Sequence, residues 1–144
     1  MSAQPTPAMI AEWHRREQEL AASEERFGPD HPAVAIANNN LGVTLKNMGE
    51  YAAARPYYER ALAICERAAS DHTTATEQAA IAICLNNLAS LLQDLGEFAA
   101  ARPYYERALA ISEQSTGSGS PTPAEETAIA TNLNNLGMLL KDMG

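Results

Sequence analysis

The chain has 144 residues, 46% hydrophobic and 19% charged, with a formal net charge of −8. That composition excludes a disordered tail as the main content. The acidity argues against nucleic acid or an anionic membrane as partner, because both attract clustered Lys and Arg. Ala and Leu dominate the apolar residues, a vocabulary that favours helix over strand, and an all-α fold is expected. The opening MSAQPTPAM lacks the basic and apolar regions of a leader, and no run of about 18 apolar residues occurs. A cytoplasmic protein is expected, with residues 1–7 disordered.

In chain order, residues 8–27 form a first helical stretch, in which LAASEERF lies over LAICERAA further on, with Leu20 matching Leu62. Next comes GPDHP at 28–32, where Gly28 stops one helix and Pro32 opens the next at its first turn. The segment 32–69 is then a complete helical hairpin. Its first half carries Leu41 and Leu45 at the i, i+4 spacing of one buried helical face. Gly49 follows at the point where a helix ends in a left-handed residue. The second half, GEYAAARPYYERALAICE at 49–66, sets Ala54, Tyr58, Ala61 and Leu62 on one stripe. Ala52 to Ala54 suggest close approach between the two helices. Pro56 predicts either a bend or a late helix start.

The same hairpin recurs over 75–114. GEFAAARPYYERALAISE at 96–113 differs from its first copy only at Tyr51/Phe98 and Cys65/Ser112. Leu88 and Leu92 repeat the helix A pair and Gly96 the turn. After a linker at 115–123, NNLGMLLKDMG at 134–144 repeats NNLGVTLKNMG of 39–49, so 123–144 reads as a third helix A with Leu136, Leu140 and Gly144. The period is 47 and then 48 residues. Thr74 with Glu77, and Thr122 with Pro123 and Glu125, make capping-box patterns that start the second and third A helices. The face of that third helix A has no helix B after it and is expected to be uncovered.

These residues resemble the tetratricopeptide repeat family, in the long-period variety seen in kinesin light chains. The resemblance rests on Leu41-Gly42 and Leu136-Gly137, on the turn residues Gly49 and Gly96, and on Ala54, Tyr58, Ala61 and Ala101, Tyr105, Ala108 in helix B. GPDHP and the paired Asn of NNL belong to the same variety. Ala89 departs from it, standing where the helix A glycine is expected, and the connectors are about five residues longer than usual. The resemblance implies an αα superhelix, a solenoid of antiparallel hairpins spanning 8–144, with 8–27 as a degenerate helix B. It implies that the A helices line a concave groove for an extended or helical peptide. Carried over position by position, the groove is Asn39, Asn40, Val43 and Lys46, then Asn86, Asn87, Ser90 and Gln93, then Asn134, Asn135, Met138 and Lys141.

The chain's two lysines, Lys46 and Lys141, fall at equivalent positions of that face. An Asn amide both donates and accepts, so it suits a peptide backbone, although an Asn inside a helix also serves to bridge neighbouring helices. Two lysines are too few for the carboxylate clamp that the resemblance associates with chaperone-binding members. His14, His31 and His72 are scattered, Cys65 and Cys84 lack metal or redox spacing, and GSGS at 117–120 reads as linker. Trp13, Tyr57, Tyr58, Tyr104 and Tyr105 read as packing residues. No catalytic residue, metal or cofactor is expected. The expected function is a scaffold that binds a protein or peptide partner. Self-association through the uncovered third helix A, or service as a regulatory segment of a larger protein continuing past Gly144, are the alternatives.

Overall fold

The computed structural model describes residues 3–69, 74–116 and 119–144. His72 and part of the expected GSGS linker lie outside the described residues. Within them the chain is six α-helices: α1 (Pro7–Phe27), α2 (Pro32–Asn47), α3 (Tyr51–Ala68), α4 (Ala75–Asp94), α5 (Phe98–Gln114) and α6 (Pro123–Asp142). They gather into two compact units, Met1–Ala68 with α1 to α3 and Ala69–Gly144 with α4 to α6. Within the first, α2 packs on both α1 and α3; within the second, α5 packs on both α4 and α6.

Local chemistry sets the helix ends. Gly49 and Gly96 adopt φ of 80° and 78°, a left-handed conformation that only glycine takes without steric cost. There the Glu50 N–H donates to the Leu45 carbonyl at 2.9 Å and the Glu97 N–H to the Leu92 carbonyl at 2.8 Å. These bonds satisfy carbonyls at the ends of α2 and α4 and reverse the chain in two residues. The hydroxyls of Thr74 and Thr122 accept from the Glu77 and Glu125 N–H groups, and each Glu carboxylate accepts from the threonine's own N–H. Both capping boxes are therefore complete. At α2 the cap is His31, whose Nδ1 accepts from the Ala33 N–H at 3.1 Å, with Pro32 at the first helical position.

The core of each hairpin follows from its repeat pattern. Leu41, Leu45, Tyr58 and Ala61 are buried in the first unit, and Leu88, Leu92, Tyr105 and Ala108 in the second. Tyr57 and Tyr104 are half-buried at the edge. The interface between helices uses only the last Ala of each triplet. Ala54 and Ala101 are buried whereas Ala52, Ala53, Ala99 and Ala100 face solvent, because three consecutive helical residues span about 200° of the helix circumference. Pro56 and Pro103 lie inside α3 and α5, which run through them unbroken. Both rings sit on the exposed side.

Two helices depart from the buried-stripe pattern. α1 has no buried residue; Trp13 stacks on His14 at 5.0 Å between ring centroids at the surface. In α6 the buried residues are Asn132 and Leu139. Leu140, the counterpart of buried Leu45 and Leu92, is 44% exposed. The i, i+4 pair expected to mark a buried face there is thus half-buried at Leu136 and open at Leu140.

Candidate functional site

In the first unit the residues expected to line the binding face lie along α2. Asn39, Asn40 and Lys46 are half-buried and Val43 is exposed. Asn40 and Val43 open onto a cavity of about 420 Å³ between α1 and α2, which Met9, Glu12 and Arg16 of α1 close from the other side. Arg16 is held by two carboxylates, its Nη1 donating to Glu19 at 2.9 Å and its Nε to Glu12 at 2.8 Å. The Glu19 hydrogen bond, with that of Glu12, raises the Arg16 pKa above its ordinary value. Glu12 also accepts from Arg15. Partial desolvation pushes the Glu12 carboxyl up, but the Arg15 and Arg16 hydrogen bonds outweigh it, and its pKa lies below the usual value. These α1 residues were not legible as part of the site, because no helical repeat pattern marks them.

In the second unit a directional hydrogen-bond chain ties the three helices together. The Ser112 hydroxyl donates to the Ala108 carbonyl at 3.1 Å, so its oxygen accepts from Asn132 Nδ2 at 2.6 Å. Asn132 Nδ2 donates also to the Ala108 carbonyl at 3.3 Å, which turns its Oδ1 outward to accept from Asn86 Nδ2 at 2.6 Å. With both Asn132 donors committed, neither amide could be flipped without facing oxygen against oxygen. The chain ends at Asn86 Oδ1, a buried acceptor with no hydrogen-bond partner.

A second tie lies near the other ends of α4 and α6. Gln93 Nε2 donates to Asp142 Oδ2 at 2.5 Å, and Gln93 Oε1 accepts from the Tyr105 hydroxyl at 3.1 Å. Burial raises the Tyr105 pKa above its ordinary value; the Ser90 hydrogen bond opposes this and the charge of Asp94 adds to it. Asn86, Gln93 and Ser90, all expected to face a peptide, are therefore engaged between helices. Asn87 and Asn135 are half-buried, and Asn134, Met138 and Lys141 are exposed, with Asn134 Nδ2 donating to Met138 Sδ at 3.7 Å.

Two exposed isoleucines extend the face and were not anticipated: Ile36 and Ile83, 63% and 57% exposed, one turn before Asn40 and Asn87. Their spacing of four from the second Asn of each pair was the available signal. Asn132 and Ser112 were also missed. Ser112 reads as a neutral replacement for Cys65, yet it is the acceptor that orients Asn132. A cavity of about 400 Å³ lies between α4, α5 and α6, walled by small residues such as Ala79, Ala82 and Ala128. Among the described residues no three His, Cys, Asp or Glu side chains stand together as a metal site. Neither Cys65 nor Cys84 is in a disulfide. No described helix is long and apolar enough to cross a membrane.

The comparisons with known proteins agree with this architecture. The tetratricopeptide repeat model matches residues 14–67 and 38–114. Among solved structures, the crystal structure of BtubC (BKLC) from P. vanneervenii is similar, at 28% identity and a TM-score of 0.76, over 95% of this chain and 50% of that one. The chain thus spans half the length of that protein. No curated protein sequence matches it. With its alternating A and B helices, glycine turns and matched repeats, the chain belongs to the tetratricopeptide repeat family.

Proposed function

We propose that the protein is an interaction scaffold in which the A-helix face of each unit, on α2 in the first and on α4 and α6 in the second, is by itself a surface for a peptide segment of a partner protein. Tetratricopeptide repeats are in general protein-interaction modules, and the fold is that of a non-catalytic scaffold. One observation carries the reading. The A helices expose large apolar side chains, Ile36, Val43, Ile83 and Met138, interleaved with Asn residues, whereas those of α3 and α5 are all buried or half-buried. Apolar area beside amides that both donate and accept suits a peptide: the side chains bury area while the amides satisfy the backbone.

The residues proposed for contact are Asn40, Val43 and Lys46 on α2, Asn87 on α4, and Asn135, Met138 and Lys141 on α6. Asn39 and Asn134 flank them. Asn86, Ser90 and Gln93 act from behind, holding α4 to its neighbours. The two lysines supply positive charge to a protein of net charge −8, which favours a partner segment carrying a carboxylate. The test is affinity capture with identification of the bound protein, repeated with Lys46→Ala, Asn87→Ala and Lys141→Ala combined. Loss of the same partner from the triple variant at unchanged helix content is expected. Equal capture by both forms rules out these faces. In the reconstituted complex, side-chain amide NMR signals of Asn40, Asn87 and Asn135 are expected to shift more than that of buried Asn132.

A further inference from the structure

Two alanine-bearing stripes face one another in the second unit. On α4, Ala75, Ala79, Ala82 and Asn86 recur at spacings of four, three and four; on α6, Glu125, Ala128 and Asn132 recur at three and four. Each set therefore lies on one helical face. Both faces open onto the cavity of about 400 Å³, which α5 closes with Ile111, Ser112 and Ser115. α4 and α6 each pack on α5 and are joined to one another through Asn86 with Asn132 and through Gln93 with Asp142. The first of these bonds bounds the cavity, since no lining residue lies beyond Asn86 on α4 or Asn132 on α6. Glu125 lies near the other end, about 10 Å back along α6. Alanine keeps both stripes low, and the space between them is a narrow slot.

The polar groups along this slot offer chiefly acceptors. Ser112, Ser115 and Thr131 each spend their hydroxyl hydrogen on a backbone carbonyl, those of Ala108, Ser112 and Thr127. Both hydrogens of the Asn132 amide are committed, and Asn86 gives one of its own to Asn132. What is left over is Asn86 Oδ1, buried and without a hydrogen-bond partner, an acceptor whose desolvation nothing offsets. Glu125 is the only charged residue among the described residues that line the cavity. Its carboxylate accepts from the Thr122 N–H within the cap of α6 and answers the positive end of that helix. An anion would meet this carboxylate, and a cation would have to draw it from its cap.

We propose that this slot binds a small uncharged molecule with an aliphatic body and a terminal hydroxyl. The alkyl chain lies between the alanine stripes, against Ile83 and Ile111, and the hydroxyl donates to Asn86 Oδ1. A volume of about 400 Å³ falls within the range of small-molecule sites. An extended peptide suits the slot less well, because it brings as many carbonyls as N–H groups, and Asn132 and the three hydroxyls have no hydrogen left for them. The residues proposed above for peptide contact in this unit, Asn87, Asn135, Met138 and Lys141, do not line the cavity.

The experiment titrates hexanol, hexyl methyl ether, hexanoate and hexylamine separately into the full chain and follows the methyl NMR signals of Ala82, Ile83 and Ile111. Hexanol is expected to give saturable shifts. The ether, which lacks the donor, is expected to bind about tenfold more weakly, and both charged probes more weakly than the alcohol. Ala128→Leu sets a larger side chain in the slot and is expected to abolish binding, with helix content unchanged by circular dichroism. Asn86→Leu is expected to erase the preference for alcohol over ether; should that variant unfold, Ala128→Leu and the ether comparison decide by themselves. Absence of saturable shifts overturns the proposal, as does equal affinity for alcohol and ether. So does tighter binding of either charged probe, or binding indifferent to Ala128→Leu. None of these readouts needs a partner protein, so failure here leaves the scaffold reading to its own test.

Discussion

Alanine substituted at Gly42 and at Gly137 should change stability in opposite directions, although the two glycines occupy the same position of the repeat. A glycine inside a helix is about 0.5–1 kcal/mol less favourable than alanine, so propensity alone predicts a gain at both sites. At Gly137 nothing opposes it, because no atom lies within 4 Å of the new Cβ. At Gly42 the new Cβ would stand 2.8, 2.9 and 3.0 Å from three atoms of the Tyr58 ring. That ring is 1% exposed and cannot swing into solvent. Overpacking of this kind costs roughly 1–3 kcal/mol, leaving Gly42→Ala destabilising by about 1 kcal/mol after the propensity gain. Urea titrations followed by circular dichroism would measure both. A Gly42→Ala protein as stable as the parent, or a Gly137→Ala protein less stable, would refute the reasoning. Ala89 provides the internal control: it is fully buried at the equivalent place in the second unit, so Ala89→Gly should lose stability by both propensity and packing.

Further outcomes follow from the second unit. Asn132→Leu removes the acceptor of Asn86, whose Oδ1 is already without a partner, and should cost about 1–3 kcal/mol. Asn86→Leu combined with Asn132→Leu should recover most of that loss, because removing both partners strands neither, and a double-mutant cycle measures the coupling. Thr122→Ala should destabilise α6 by about 1 kcal/mol through loss of its cap. The hydrogen bond from the Thr122 N–H holds the Glu125 pKa below its ordinary value of 4.5. Its stabilisation is thus present above 4.5 and lost as pH falls through the lowered folded value, so acid fraying of α6 by circular dichroism should be blunted in Glu125→Gln. Tyr105 has the opposite sign. Its folded pKa is raised above 10.0, so its contribution is whole below pH 10 and disappears as pH rises through the folded value. Tyr105→Phe should remove that alkaline step from the unfolding profile.

What the sequence disclosed and what it withheld divide by range. Gly49 and Gly96 turn the chain and the capping boxes of Thr74 and Thr122 start helices, each through partners within five residues, so spacing alone exposes them. Tyr58 and Tyr105 are equally legible because a duplicated hairpin repeats its core. The ties through Asn132 are not, since they join residues 20 and 46 positions apart and no period predicts them. Leu140 shows the converse: its local pattern is that of Leu45, yet its exposure is decided by whether a helix lies over it. In α1 the match to helix B is confined to its second half, and the Glu12, Arg16 and Glu19 cluster is visible only once the helix is formed.

The ties through Asn86 and Gln93 also change what repeat-to-repeat variation means here. Helix B is nearly invariant between copies and helix A varies, which by itself would mark every changed A-helix residue as a contact with a partner. Gln93, however, replaces Lys46 and spends both ends of its amide on Asp142 and Tyr105. Asn132 replaces Ala37 and Cys84 and is 2% exposed. Part of the variation therefore fits one helix to the next, and only residues that both vary and remain open carry information about a ligand. At the position shared by Val43, Ser90 and Met138, Ser90 is bonded to Tyr105. Val43 and Met138, 40% and 54% exposed, are left as the side chains whose exchange, Val43→Met and Met138→Val, should alter partner preference at unchanged stability. Measuring affinities of both variants for the captured partner tests this, and equal affinities would place its specificity elsewhere on the A helices.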